Sequence, residues 1–213
     1  MNVSPINLLL VLFMVTLVPF AVLMVTSYTK LAVVFSLLRS ALGIQQVPPN
    51  MVLYGISLIL TIYIMSPVGY AMFDLVKDEP FDNAGVKTII QTIGKAKDPL
   101  KDFLLKHARE RERAFFAQTI KKIWPARVKP YRSDDIMVLV PAFMLSELTA
   151  AFEIGFLIYL PFIAIDLIVA NVLMALGMIM VSPLVISLPF KLLLFVMLDG
   201  WGRIVHSLVL SYG

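Results

Sequence analysis

Two long apolar blocks flank a polar middle, and the pattern inside each block sets the helices to expect. No charge occurs from Met1 to Thr29, and Ile6–Thr29 is long enough to cross about 30 Å of hydrocarbon. A secretory signal peptide opens with lysine or arginine, which this opening lacks, so it reads as a spanning segment. Ser40–Phe73 is again free of charge, with Pro48-Pro49-Asn50 marking a connector before a second apolar helix over 50–73. Lys30 and Arg39 lie in or beside that connection. The second block runs from Ile136 to the end, where Pro141, Pro161, Pro183 and Pro189 are expected to divide it into helical pieces and Gly155 and Gly177 to soften it.

The charge-free stretch Leu167–Phe190 contains Gly177 and Pro183, which argue for a helical hairpin with its tip near Met178–Met180. In an antiparallel pair, residues equidistant from the tip lie opposite one another. Asp166 and Lys191 are equidistant from the Met178–Ile179 bond, Glu153 and Arg203 from Met178, and Tyr159 and Asp199 from Ile179. Charges in apolar surroundings are costly unless paired, so this symmetry gives each of them a partner. Chance placement, with prolines shifting the register, is the alternative.

Between the blocks, residues 74–135 hold 14 of the 18 Lys and Arg and 10 of the 14 Asp and Glu. Asp98 as N-cap, Pro99 at the first helical position and Pro125 as a stop predict one amphipathic helix to about Trp124, with a solvated KHARERER face. The expected organisation is all-α: an N-terminal hydrophobic helical hairpin over 1–73, a small polar, mostly helical insert over 74–135, and a C-terminal hydrophobic hairpin over 136–213. Lys30 and Arg39 beside a short connection favour a cytoplasmic position for it, which puts the insert on the outer side. Short, proline-broken, charge-bearing segments make poor lipid-facing spans and suit burial against copies or partners.

Composition sharpens this. The chain is 213 residues and 60% hydrophobic, against roughly 45–50% for ordinary domains, which points to a membrane protein or an assembly subunit. With no cysteine there is no disulfide, thiol chemistry or thiolate metal site. His107 and His206 are isolated, and Gly94-Lys95 lacks the rest of a phosphate loop. Asp166 and Asp199 have cationic partners in Lys191 and Arg203 and no Gly-x-Gly-Asp motif, unlike an intramembrane aspartyl protease. The basic residues Lys121, Lys122, Arg127, Lys129 and Arg132 have acids nearby, which speaks against nucleic acid. No enzyme activity and no cofactor are expected.

PAFMLSELTAAFEIGFLIYLPF (Pro141–Phe162), ALGMIMVSP (Ala175–Pro183) and LPFKLLLFVMLDGW (Leu188–Trp201) resemble signature regions of the SctR/FliP family of type III secretion export proteins, as does FSLLRSALGIQQVPPN (Phe35–Asn50). The wording QQVPPN and the charge-free opening lean toward the injectisome branch over the flagellar one. The resemblance implies a noncatalytic subunit of the bacterial inner membrane, multi-pass, that forms a homopentamer with SctS and SctT. This ring lies beside the larger SctU and SctV components, projects to the periplasmic side and passes unfolded secreted proteins. Within it the hydrophobic helices are raised largely out of the bilayer plane. It also implies a pore gasket of Met178, Ile179 and Met180, where thioethers repack around irregular cargo and exclude water. Ile179 stands where relatives often carry another methionine and is stiffer at χ1. Met174 is expected in the core. Phe143, Glu147, Phe152 and Phe156 are candidate subunit-interface residues, with packing inside one chain as the alternative. Two rival functions are a multi-pass small-solute transporter or channel subunit, and an assembly scaffold that lines no pore.

Overall fold

The computed structural model describes residues 5–77, 94, 97–123 and 132–213. Among them all regular structure is helical. In chain order the helices are α1 (Pro5–Met24), α2 (Tyr28–Leu42), α3 (Asn50–Asp74), α4 (Asp98–His107), α5 (Glu110–Ile123), α6 (Ile136–Ala175), α7 (Pro183–Met197) and α8 (Gly200–Leu210). They form two compact units: residues 1–29 with 65–147, and residues 30–64 with 148–213.

In the first unit, α4 buries Phe103 and Leu104, and the start of α6 buries Val138, Leu139, Ala142 and Phe143. The rings of Phe103 and Phe143 stand 5.7 Å apart and tilted, a geometry that adds to their area burial. The single amphipathic helix expected here is two. Ala108 is extended at ψ 122, and the next amide, Arg109 N–H, donates to Ser146 Oγ at 2.9 Å rather than continuing the helix. A bond from a distant side chain thus ends α4, which a local pattern does not encode. Lys97 occupies the N-cap position expected of Asp98, with proline at the helix start, and the expected stop at Pro125 lies outside the described residues.

In the second unit α2 supplies the central stripe. Lys30, Leu31, Val34, Phe35, Leu38, Ala41 and Leu42 recur every three or four residues and are buried. Residues 30–42 are therefore a packed helix, where the sequence reads as a connection, and Lys30 is only 4% exposed. Its Nζ sits 3.7 Å from the centroid of the buried Tyr212 ring, so the π-face replaces part of the lost hydration. Leu31, Val34, Phe35, Leu53, Ala151 and Leu208 make one core cluster; Leu38, Ala41, Leu42, Phe162 and Phe195 make another.

The expected breaks at Pro141, Pro161, Gly155 and Pro189 are absent: the first three lie within the uninterrupted 40-residue α6, and Pro189 lies inside α7. In apolar surroundings a broken helix strands backbone groups without water, so the helix continues past its prolines. Gly155 instead admits close contact, because a Cβ there would strike the Leu37 side chain of α2. Among the described residues α3 and α6 are each long and apolar enough to cross a membrane, and α7 with α8, bent by 59°, could form a third span.

Candidate functional site: the hairpin tip and its charged brace

Helix α6 ends through glycine and α7 begins through proline. Gly177 has φ 72, Met178 N–H donates to Leu173 O at 2.9 Å and Gly177 N–H to Met174 O at 3.0 Å, the paired bonds that close a helix on a left-handed glycine. Pro183 opens α7 after the extended Ser182, at a position that needs no amide proton. The five residues between these caps, Met178–Ser182, form the tip. Met178 is 44% exposed, Ile179 87% and Met180 fully so. Met174, expected in the core, is also on the surface at 63% exposure.

Below the tip a charged brace joins the two arms. Lys191 Nζ lies 2.7 Å from Asp166 Oδ2, with the lysine side chain 3% exposed and the aspartate 28%. Ser187 Oγ donates to Asp166 Oδ1 at 2.5 Å. The ammonium also lies 3.5 Å from Ala41 O, at the carbonyl end of α2, where helix ends favour positive charge. Gly43, φ 75, follows that end, and a Cβ there would lie 3.6 Å from Nζ. Sequence reading missed Ser187 and the α2 terminus. The spacing of Ser187, Lys191 and Phe195, one turn apart and all buried, is the signal that marks the inward face of α7.

Glu153 and Arg203 are both exposed, and Arg203 borders a groove of about 300 Å³ with Ile154 and Leu157. Tyr159 packs on the Leu38–Phe195 cluster, while the Asp199 carboxylate turns back against Gly202 in its own turn. Phe143 and Glu147 are buried within the chain, at 0% and 3% exposure, whereas Phe152 and Phe156 are 59% and 65% exposed. Nine residues at about 100° each put Phe143 and Phe152 on opposite sides of α6, so the four do not share one face. Among the described residues no cluster of His, Asp and Glu could hold a metal.

Beside the tip, a groove of about 1170 Å³ runs between the α2–α3 connection and the start of α7. Its rim is tied by Arg39, whose Nη1 donates to Asn50 Oδ1 at 2.5 Å and to Pro48 O at 3.3 Å.

The profile of the FliP family matches residues 11–208. Yop proteins translocation protein R of Yersinia pestis is 51% identical over 209 residues, covering 98% of this chain and 96% of that protein. Hypersensitivity response secretion protein HrcR of Ralstonia nicotianae is 47% identical over 214 residues, 99% of each chain. Virulence protein YscR of Salmonella typhimurium is 47% identical over 211 residues, 98% of this chain and 97% of that one. With a match along nearly its whole length, a tip set by glycine and proline and a braced apolar hairpin, the chain belongs to the SctR/FliP family of type III secretion proteins.

Proposed function

We propose that this chain is a noncatalytic ring subunit of an injectisome export gate in the bacterial inner membrane. Five copies assemble with SctS and SctT, beside SctU and SctV, with the polar insert on the periplasmic side. The tips converge on an axis, so Met178, Ile179 and Met180 of every copy close the passage for unfolded secreted proteins. The observation that carries this reading is the tip itself, three consecutive apolar side chains held at the surface between two helix caps, with Met180 fully exposed. Such residues give up water readily when a second surface meets them. Thioethers then seal without demanding one cargo shape, and an apolar constriction blocks ions by excluding water.

The test has two parts. The native mass of the detergent-purified protein, alone and with SctS and SctT, should correspond to five copies. Met178→Ala with Met180→Ala should leave assembly intact and raise ion conductance of the reconstituted complex. An assembled but ion-tight double variant would favour a scaffold, and a monomer or dimer under all conditions would sink the ring.

A further inference from the structure

We infer that the groove beside the hairpin tip is a binding track for the extended backbone of the exported polypeptide, read without regard to its side chains. This inference rests on the export-gate reading and names what that site touches. An extended chain carries one amide N–H and one carbonyl per residue, and each needs a partner wherever water is excluded. An apolar constriction at Met178–Met180 offers none, so partners are required immediately beside it. The groove starts at Ser182, two residues beyond Met180, and its wall carries Gln45, Gln46 and Asn50. Side-chain amides hold donors and an acceptor together, so they pair with either backbone group of any residue. Asn50 Oδ1 already accepts from Arg39, so what Asn50 offers the groove is its amide nitrogen, a donor. Leu184 and Leu188 give an apolar floor on which cargo side chains of any shape can lie. Gln46, which lines the groove, has a left-handed backbone at φ 66, a conformation uncommon for glutamine.

The test uses cells that assemble the whole apparatus and carry a cargo stalled by a fused, stably folded domain. A photo-crosslinking residue replaces Gln46, Val185 or Met180 in turn, with the exposed Tyr63 on α3 as control. Cargo adducts are expected from the first three sites and none from Tyr63. Adducts from Met180 but not from Gln46 or Val185 would overturn the track and leave the pore standing; no cargo adduct from any of the three would remove the pore as well. Adducts from Gln46 and Val185 only to a second copy or another apparatus subunit would make the groove an interface and overturn the proposal. A paired substitution tests the chemistry. Gln46→Leu should cut export about tenfold, the worth of a lost hydrogen bond, while Gln46→Asn keeps the amide on a residue suited to that backbone and retains export. Equal losses in both, with native mass unchanged, would refute an amide role.

Discussion

Breaking the Asp166–Lys191 brace from its two ends should give unequal damage, and the structure sets the order. Asp166→Asn takes the countercharge from an ammonium that is 3% exposed, leaving it only neutral acceptors, the new amide oxygen and the Ala41 carbonyl at 3.5 Å. Removing one partner of a buried pair costs roughly 3–5 kcal/mol, and with those neutral acceptors remaining the lower end, about 3 kcal/mol, applies. Lys191→Met strands a carboxylate whose side chain is 28% exposed and still accepts from Ser187. Partial hydration and that bond hold its cost to about 1.5 kcal/mol. The double variant removes both charges and places an apolar chain of similar length in an apolar site, which is close to neutral, about 1 kcal/mol at most. The coupling energy is then about −3.5 kcal/mol or more negative, far outside additivity.

The assay is equilibrium unfolding in mixed dodecyl maltoside and SDS micelles. In a Trp124→Phe background the sole reporter is Trp201, whose ring stands 5.6 Å from Phe195 and 6.1 Å from Phe35. Two outcomes would refute the reasoning: Lys191→Met costing as much as Asp166→Asn, or single costs that simply add in the double variant. The first would mean that the lysine is stabilised chiefly by the α2 carbonyl end, the second that the two charges do not depend on each other.

Two further substitutions probe packing and the insert. Gly200→Ala drives a methyl into the ring of Phe195, which is buried and held edge-on against Trp201, so it should cost about 2–3 kcal/mol. Gly202→Ala meets only the carboxylate of Asp199, which is exposed and can rotate away, so it should change stability by less than about 1 kcal/mol in the same unfolding assay. In the insert, the hydrogen bond from Lys101 holds the Asp134 carboxyl below its ordinary value of 3.8. A depressed folded-state value gives stability that is present above pH 3.8 and lost as pH falls through the folded value. Lys101→Met should therefore move the Asp134 titration, followed by carboxyl-carbon NMR, upward toward 3.8, and its difference in stability from the parent should vanish at lower pH.

Local chemistry was legible in the sequence wherever the deciding partner was close by. Gly177 and Pro183 mark the tip because a helix stop and a helix start are each set within one turn, and the structure has its caps at those residues. The equidistance of Asp166 and Lys191 from the tip needed only that both arms be helical, and the two side chains stand 2.7 Å apart. What stayed hidden depends on distant partners. Lys30 suggested a wet connection because its cover, Tyr212, comes from the far end of the chain. The break at Ala108 depends on Ser146, and the unbroken course of α6 past Pro141 and Pro161 depends on apolar surroundings in which a broken helix would strand backbone groups. Phe143, Phe152 and Phe156 read as one aromatic stripe near helical spacing, although nine residues at about 100° each separate Phe143 from the other two.

The length of α6 bears on what must cover it. Forty residues at about 1.5 Å each make a helix of about 60 Å, twice the hydrocarbon thickness of roughly 30 Å. On its turns up to Glu147 the chain itself buries Val138, Leu139, Ala142 and Phe143, with Phe103 of α4 against Phe143. From Leu148 onward 28 residues remain, about 42 Å, and their buried side is the line of Ala151, Gly155 and Phe162. The opposite side leaves Phe152, Phe156, Leu160, Ile163 and Leu167 each at least 45% exposed. Lipid alone would cover that length only at a tilt of about 45°, beyond the range of up to about 40° that spanning helices show. A stripe so long and apolar, with Glu153 as the charge on it, calls for protein on part of it, and neighbouring copies in a ring would supply that cover without any change in the fold of the single chain.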